Sequence, residues 1–523
     1  MQSPHETALP PIAHEPPPAH DTFCPERRRR YVLIAAILAS SLGFIDGSVV
    51  SIAMPAIRAD IGATLSQAQW ISNGYALMLS ALILVGGALG DRAGLRRSFA
   101  AGIALFIVAS LLCAAAPTPT LLIAARTLQG VGAAIMVPGS LAIIAKAYPK
   151  AERGRAIGIW AASSALTTAL GPVLGGIVLS AFDDAVWRWI FAINLPLGGI
   201  ALYLLIARVP PDAAAPRREL DIGGGLLAMA SLGSIALGLT LLSGEAKIAG
   251  LDVPTLLIAG GSILIVLFLL WEARHPAPMI ELALFRARSF SGANLATFFL
   301  YFALSAILFY LPMMLIAGWG IEESTVGFLF LPLSASIALL SGPVGKVSDR
   351  IGPRVPMAAG SLLVGVSFAA LGWLANAGIH QFWGGVFPMM LLMGLGMSLV
   401  VSPLSIAVMT SIDDKDTGAA SGINNAVSRI AGLVAVAALG SVAAIRFASV
   451  AAGAEVPEFG ETPAAGLAAD LERLRVEAGD RAFAAVAWVA ASGSFLAAII
   501  SWLTAPGKSG SEPGSEPAET PAG

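Results

Sequence analysis

Apolar runs of about twenty residues alternate with short polar segments along nearly the whole chain. A helix needs about 20 mostly apolar residues to cross a bilayer. Divided at charged or Pro/Gly-marked loops, the chain contains fourteen candidate spans. They are residues 31–53, 69–90, 98–116, 120–145, 155–182, 188–207, 222–243, 253–272, 290–316, 324–345, 355–375, 382–410, 418–445 and 483–504. The pattern predicts an all-α polytopic membrane protein with both termini on one side.

Composition agrees with this class. Of 523 residues, 56% are hydrophobic and 12% charged, against about 25% charged in soluble domains. Cys24 and Cys113 are the two cysteines, so a disulfide framework and a cysteine metal site are excluded. The five histidines are scattered, and no phosphate-binding Gly-Lys-Ser/Thr loop occurs. We therefore expect no metal, no cofactor and no ATP-driven pump, and we expect neither an enzyme nor a nucleic-acid partner.

The distribution of positive charge predicts the orientation. Residues 1–30 form a Pro- and His-rich tail that ends in four arginines, and residues 506–523 form a second polar tail. Lys and Arg concentrate in these tails and in the loops after even-numbered spans, whereas the other loops carry few of them. The positive-inside rule places the Lys/Arg-rich loops in the cytoplasm. Both tails are expected to be disordered and cytoplasmic.

Two short segments repeat each other. "GALGDRAGLR" begins at Gly87 and ends the second span, and "GKVSDRIGPR" begins at Gly345 and ends the tenth. Gly, Asp, Arg, Gly and Arg match at identical offsets. Duplicated halves are typical of secondary transporters, whose substrate sites lie near the midplane between the repeats. Chance similarity between two basic loops is the alternative.

These segments resemble the signature of the major facilitator superfamily, Gly-x-x-x-Asp-Arg-x-Gly-x-Arg-Arg. The matching residues are Gly87, Asp91, Arg92, Gly94, Arg96 and Arg97 in the first copy and Gly345, Asp349, Arg350, Gly352 and Arg354 in the second. Glycines allow helices to approach closely, and the charges can form ion pairs at the membrane boundary. The resemblance implies a cytoplasmic gate, weaker in the second copy, which lacks the Arg-Arg pair. Orientation of the span alone is the alternative for some of the arginines.

Four further segments are similar to motifs of the fourteen-helix drug/proton antiporters of the EmrB/QacA type. They are "LGFIDGSVVSIAMPAI", "RTLQGVGAAIMVP", "GPVLGG" and "WRWIFAINLPLG", in that order along the chain. The resemblance covers about residues 31–505. It implies a six-helix bundle over 31–210, a two-helix insertion over 211–285, and a second six-helix bundle over 286–505 with an outer loop at 446–482. Within that loop, "LAADLERLRVEAGDR" predicts an amphipathic helix on the protein or lipid surface, or against a partner.

Asp46 and Arg126 are ionisable residues inside apolar spans, which is costly and therefore indicates function. Counting along the helices places Asp46 about 10 Å and Arg126 about 7–10 Å below the outer face. Gln129 shares a helix face with Arg126. The resemblance also implies proton coupling through the first-helix acid and the fourth-helix arginine. A static ion pair that joins two helices is the alternative.

"GPVLGG" contains Gly171, Pro172, Gly175 and Gly176, which predict a pliable, closely packed helix suited to a hinge. Simple packing explains the glycines equally well. A larger set of polar and amphipathic residues could line a substrate cavity. These candidates are Trp70, Asn73, Tyr75, Gln129, Asn294, Tyr301, Tyr310, Asn424 and Asn425. Core packing is the alternative for the aromatic residues, and helix–helix hydrogen bonding for Asn424 and Asn425.

Arg429 has no matching acid in the neighbouring spans of the second half, so snorkelling to an interface is one expectation for it. The tenth span also lacks the acid that some relatives exporting divalent cations carry, which argues against dications as substrates.

We expect a proton-coupled antiporter that exports small hydrophobic or amphipathic compounds, acting as a monomer in a bacterial cytoplasmic membrane. A facilitator or importer on the same fold is the alternative. The need for a periplasmic adaptor protein stays open.

Overall fold

The computed structural model describes residues 22–182, 184–212, 221–244, 247–248, 251–409, 417–463 and 467–507. Most of the two predicted tails, residues 1–21 and 508–523, therefore lies outside the described residues.

The described chain is helical, and fourteen of its helical segments are long and apolar enough to cross a membrane. The helices are α1 (Glu26–Ile61), α2 (Leu65–Ala93), α3 (Leu95–Ala114), α4 (Pro119–Ala147), α5 (Lys150–Ala181), α6 (Trp187–Ala192), α7 (Asn194–Arg208), α8 (Ile222–Leu241), α9 (Val253–Glu272), α10 (Arg288–Met313), α11 (Glu323–Val326), α12 (Leu331–Ile351), α13 (Arg354–Asn376), α14 (Phe387–Met409), α15 (Thr417–Ala451) and α16 (Ala469–Thr504). α6 with α7, and α11 with α12, each form one span. A short antiparallel pair, β1 (Lys247–Ile248) and β2 (Leu251–Asp252), precedes α9. The predicted all-α polytopic class is confirmed.

Local sequence signals set several helix ends. Gly62 ends α1 in the left-handed conformation, with φ of 64°, where a side chain would be strained. Thr64 then caps α2 reciprocally with Gln67. The Thr118 side chain accepts a hydrogen bond from the backbone N–H of Leu121 at the start of α4. These signals fix short connections, so successive helices run antiparallel.

Two helices are longer than the apolar pattern predicts. α1 begins at Glu26, inside the predicted tail, and α16 begins at Ala469. The predicted amphipathic helix is thus the first part of the last span and is not a separate element. Arg475 explains the position of this helical segment. Its buried side chain donates a hydrogen bond of 2.8 Å to the carbonyl of Ala317 and forms an ion pair with Glu472 at 2.7 Å. The polar start of α16 is therefore held on the protein.

One close, glycine-mediated helix contact recurs in the two halves of the chain. In the first half, α1–α7, a Cβ on Gly102 of α3 would lie 2.9 Å from the backbone nitrogen of Met136 of α4. In the second half, α10–α16, a Cβ on Gly396 of α14 would lie 2.7 Å from the carbonyl oxygen of Gly360 of α13. Both contacts require glycine, because any side chain would overlap backbone. The two halves thus repeat the same close helix contact.

The two halves meet along α2 and α15, and we call this contact the α2–α15 seam. The inserted helices lie outside it. Leu232 and Ala236 of α8 pack with Leu77 of α2 and Leu433 of α15. Ser441 of α15 donates 2.6 Å to the carbonyl of Leu239. α8 therefore covers this seam from the side.

We call the face that carries the start of α1 and the end of α2 the basic face, and the other the opposite face. Gly158 and Gly176 lie five turns apart on one side of α5. A Cβ on Gly176 would overlap the carbonyl group of Glu323 in the second half, whereas Gly158, nearer the basic face, has no atom within 4 Å of that position. Arg58 also bonds the Phe459 carbonyl at 2.5 Å on the opposite face. Along α5, the halves are closed at the opposite face and apart at the basic face.

Candidate functional site

An ion pair between α1 and α4 forms the centre of the first half. Nη1 of Arg126 lies 2.5 Å from Oδ2 of Asp46, and both residues are almost completely buried, at 2% and 1% exposure. The similar depth predicted from the sequence is what allows two antiparallel helices to bring these residues together. An unpaired charge buried here would leave its desolvation uncompensated, whereas the attraction within the pair offsets part of that cost.

Neutral polar groups complete the network. Gln129 accepts a hydrogen bond of 2.6 Å from Arg126 through Oε1. Through Nε2 it donates a hydrogen bond of 3.0 Å to Oδ1 of Asp46. The same Nε2 lies 2.9 Å from the Ser110 hydroxyl, to which Asn194 donates at 3.1 Å. Four helices, α1, α3, α4 and α7, are therefore linked by one buried chain of hydrogen bonds.

The Arg126 guanidinium is fixed by two further contacts. Its Nε donates 3.1 Å to the carbonyl of Ile71 in α2, and its charge lies 4.5 Å from the centre of the Tyr75 ring. A cation over an aromatic face gains electrostatic attraction, more so when desolvated. Tyr75 thus belongs to the charge network, although the sequence presents it only as a cavity candidate.

The site consists of a buried ion pair and its neutral hydrogen-bonding partners. Both oxygens of Asp46 accept hydrogen bonds, as a deprotonated carboxylate does. A proton on Asp46 would remove one of the hydrogen-bond acceptors of the carboxylate. Arg126 would then keep its hydrogen bonds to Gln129 and to the carbonyl of Ile71. In the described residues, no three His, Cys, Asp or Glu side chains form a group that could hold a metal.

Ser110 and Asn194 are network members that the sequence analysis does not single out. Asn194 lies within the quoted "WRWIFAINLPLG" segment, so that motif was the available signal. Ser110 is a lone hydroxyl in an apolar span, where most Ser residues bond their own helix, as Ser110 also does with Phe106. Periodicity gives no sign that it faces Gln129.

The first copy of the repeated motif, Gly87 to Arg97, lies at the basic face of the first half. Gly94 takes a φ of 91° between α2 and α3, which favours glycine. Arg96 donates 3.2 Å and 3.0 Å to the carbonyls of Leu205 and Ile206 at the end of α7. Arg92 and Arg97 are exposed. Gly87 and Asp91 lie in α2, and the Asp91 side chain lies outside the described part of the structure.

Asp212 is a second acid at this corner. Its carboxylate accepts 2.9 Å bonds from the backbone N–H groups of Leu95 and Arg96, and Lys146 lies 2.9 Å away. Burial alone would raise the pKa of Asp212, but these donors and the Lys146 charge outweigh burial and lower it. Asp212 therefore caps α3 as an ionised group.

The second copy of the motif, Gly345 to Arg354, repeats part of this geometry. Gly352 has a φ of 83°, and Arg354 stacks 4.4 Å from the ring centre of Trp502 near the end of α16. Arg96 and Arg354 are equivalent in the repeat, and each contacts the last span of its half. Asp349 and Arg350 are exposed, and Gly345 lies in α12 beside Ser402. Ring stacking replaces two carbonyl hydrogen bonds in this copy.

The "GPVLGG" segment lies where the halves meet on the opposite face, within the unbroken helix α5. Gly171 and Gly175 face Ile45 and Val49 of α1, and Gly176 faces Glu323. A Cβ on Gly327 would lie 2.7 Å from the carbonyl oxygen of Pro172. These contacts are helix packing in the closed position, and the hinge role stays a prediction.

The structure separates the cavity candidates into different places. Trp70 packs near α8 in the α2–α15 seam, and Tyr310 donates to the carbonyl of Val436. Asn424 donates 3.2 Å to Oδ1 of Asn294, a bond between α15 and α10. Asn425 is exposed and donates to a carbonyl of its own helix. Of the remaining candidates, Tyr301 lies close to Arg429, and Asn73 lies on the side of α2 that faces α15.

Comparison with known proteins places these features in a family context. The family model of the Major Facilitator Superfamily matches residues 36–436. The chain is 33% identical to the multidrug resistance protein Stp of Mycobacterium tuberculosis, over 80% of this chain and 76% of that protein. It is 32% identical to a probable actinorhodin transporter of Streptomyces coelicolor, over 80% and 73% of the two chains.

Solved structures agree in fold. A bacterial homologue of the human lysosomal transporter Spinster, in an inward-facing and unoccupied conformation, superposes with a TM-score of 0.64 over 92% of this chain and 99% of that chain, at 16% identity. A D-xylose–proton symporter gives a TM-score of 0.60 at 15% identity, over 91% and 98%. At such identities the likeness concerns the arrangement of helices alone.

Proposed function

Because the chain belongs to the major facilitator superfamily of membrane transporters, we propose that it is a proton-coupled antiporter that exports small hydrophobic or amphipathic compounds. Family membership makes it a multi-pass transporter of small molecules and not an enzyme. The observation that carries the proton-coupled part of the proposal is the buried pair of Asp46 and Arg126.

In the proposed cycle, Asp46 is the group that takes the proton. The ionised acid holds Arg126, so α1 and α4 are locked at one depth. Protonation weakens this pair, and Gln129 and the Tyr75 ring then retain the guanidinium. The acid can release its proton again when the bundle opens to the other side and the pair re-forms.

The open and closed ends support alternating access. Contacts between the halves at Gly176 and Arg58 close the opposite face, whereas α5 is uncovered near the basic face. We propose that the basic face is cytoplasmic, in line with the positive-inside rule. The structure would then represent the state that receives substrate from the cell.

The substrate class rests on the relatives. Similar proteins include a methylenomycin A resistance protein of Bacillus subtilis and a tetracenomycin C resistance and export protein of Streptomyces glaucescens. We propose export of comparable antibiotic-sized compounds through a bacterial cytoplasmic membrane. A single chain supplies both halves and the seam, so we propose the monomer as the transporting unit.

Transport by the purified chain in proteoliposomes tests this proposal, with a panel of lipophilic dyes and an imposed pH gradient. We expect uphill dye movement that stops when nigericin collapses the gradient, and none in empty liposomes. Transport that persists only down the dye gradient would favour a facilitator instead. Because no other protein is present, the same assay shows whether an adaptor is required.

A further inference from the structure

Arg429 is a cation without a countercharge in the described part of the chain. It lies in α15 about 18 Å from the start of that helix at Thr417. Among the described titratable side chains, those of Tyr75 and Tyr301 are the ones close enough to act on its charge, and neither is a carboxylate; its Nε is buried without a hydrogen-bond partner. An arginine cannot lose its proton in proteins, so the charge persists.

The helix face that carries Arg429 is turned toward the first half of the protein. Gly422 and Gly440 share this face, since they lie seven and eleven residues away. A Cβ on Gly422 would lie 3.0 Å from the Leu84 side chain of α2. A Cβ on Gly440 would overlap the side chain of Gln69, which is also in α2. Because α8 covers this seam from outside, Arg429 is not in a position to snorkel along lipid.

Among the side chains that the structure describes, the first half offers no free acid to neutralise this charge. Asp46 is already bound to Arg126 and Gln129. What α2 does offer is Asn73, which is fully buried and has both amide atoms unpartnered. Asn73 lies on the side of α2 that carries Gln69 and Leu84, which is the side facing α15.

Unpartnered buried polar groups are rare and call for an explanation. Here a cation, an amide and the two tyrosines Tyr75 and Tyr301 come from α15, α2 and α10, on both sides of the line between the halves. Leu77 of α2 and Leu433 of α15 pack together in the same seam. A ligand that supplied one negative charge on an apolar body would match this set.

We propose that Arg429 is the charged element of a substrate site for lipophilic organic monoanions, that is, carboxylates or phenolates on an apolar ring system. The inference deepens the proposed function, because it names the substrate class of the same transporter. Asn73, on the side of α2 that faces α15, supplies a hydrogen-bond donor and acceptor. Asp46 and Arg126 stay outside this site and retain the proton-coupling role.

Binding to the full-length protein in neutral-lipid nanodiscs tests the site. The probes are 1-pyrenebutyrate, its uncharged amide and 1-pyrenebutylamine, which share the apolar body and differ in charge. We expect the wild type to bind the carboxylate at least tenfold more tightly than the amide or the amine. Arg429→Gln should remove this preference, whereas Arg429→Lys should retain most of it. Arg446→Gln, an exposed arginine of the same helix, should leave it unchanged.

An equal loss of affinity for all three probes in Arg429→Gln would overturn the inference, as would a wild type that binds the amide as well as the carboxylate or binds no carboxylate. Failure here is distinguishable from failure of the proposed function. A protein without anion preference that still moves neutral dyes against their gradient loses only the Arg429 site. A protein that binds the carboxylate but shows no gradient-driven transport keeps the site and loses the antiport proposal.

Discussion

The Asp46 carboxylate and the Arg126 guanidinium meet at 2.5 Å in the interior of the first half, although eighty residues separate them in the chain. Their helices run in opposite directions and carry the two groups to one depth. Gln129 contacts both partners, so the pair is held by a third side chain that can also stabilise either partner alone. This geometry makes the pair both a structural element and a group able to respond to protons.

The ion pair should be energetically coupled. Asp46→Asn or Arg126→Met each leaves one buried charge without its partner, which typically costs about 3–5 kcal/mol. We expect the double variant to lose less free energy of unfolding than the sum of the two single variants. SDS-induced unfolding of the purified proteins measures this. Additive losses would show that the two residues stabilise the protein independently.

Gly176 should be essential for closing the opposite face. In Gly176→Val, the new side chain would overlap the carbonyl group of Glu323, so the halves cannot meet there. We expect faster labelling of Ser324→Cys by a membrane-impermeant maleimide, with Cys24 and Cys113 replaced by Ser. Gly199→Val is the matched control, because no atom lies within 4 Å of a Cβ at that position. Equal labelling rates in the two variants would contradict the closed contact.

Asp212 should stabilise the basic face in its ionised form. Its pKa is lowered in the folded protein by the N–H groups of Leu95 and Arg96 and by Lys146, which outweigh burial. The stabilisation is therefore present above the unfolded pKa of about 3.9 and is lost as pH falls through the folded value. Asp212→Asn should cost about 1–3 kcal/mol at pH 7 and remove this acid-side dependence.

Thermal unfolding between pH 3 and pH 7 measures that effect. Asp349→Asn is the control, since this acid is exposed on the same face in the second copy of the repeated motif. If the two variants were equally stable and equally pH-dependent, the capping role of Asp212 would be refuted.

Much of this architecture could be predicted from the sequence, because long apolar runs and turn residues act locally. The fourteen spans follow from length and hydropathy alone. The pairing of Asp46 with Arg126 also follows, since depth along a helix is a matter of counting residues. Periodicity could not place the start of α16, because Arg475 is held by the carbonyl of Ala317 from another part of the chain.

Contacts between distant helices account for the rest. Ser110 and Asn194 enter the network only because α3 and α7 pack beside α4. Asp212 follows α7 in an unremarkable polar stretch, and its role depends on reaching the start of α3. Asn294 and Asn424 show the opposite case. Both are polar residues in apolar spans and were candidates for the cavity wall, but they form a hydrogen bond with each other.

The most direct test of proton coupling compares two modes of transport by wild type and Asp46→Asn in proteoliposomes. A pH gradient drives uphill dye accumulation in the first mode, and preloaded dye exchanges with external dye at equal pH in the second. We predict that Asp46→Asn retains exchange and loses gradient-driven accumulation, because the substrate path is intact and the proton carrier is absent. Wild-type accumulation by Asp46→Asn would contradict the assignment of the coupled proton to Asp46.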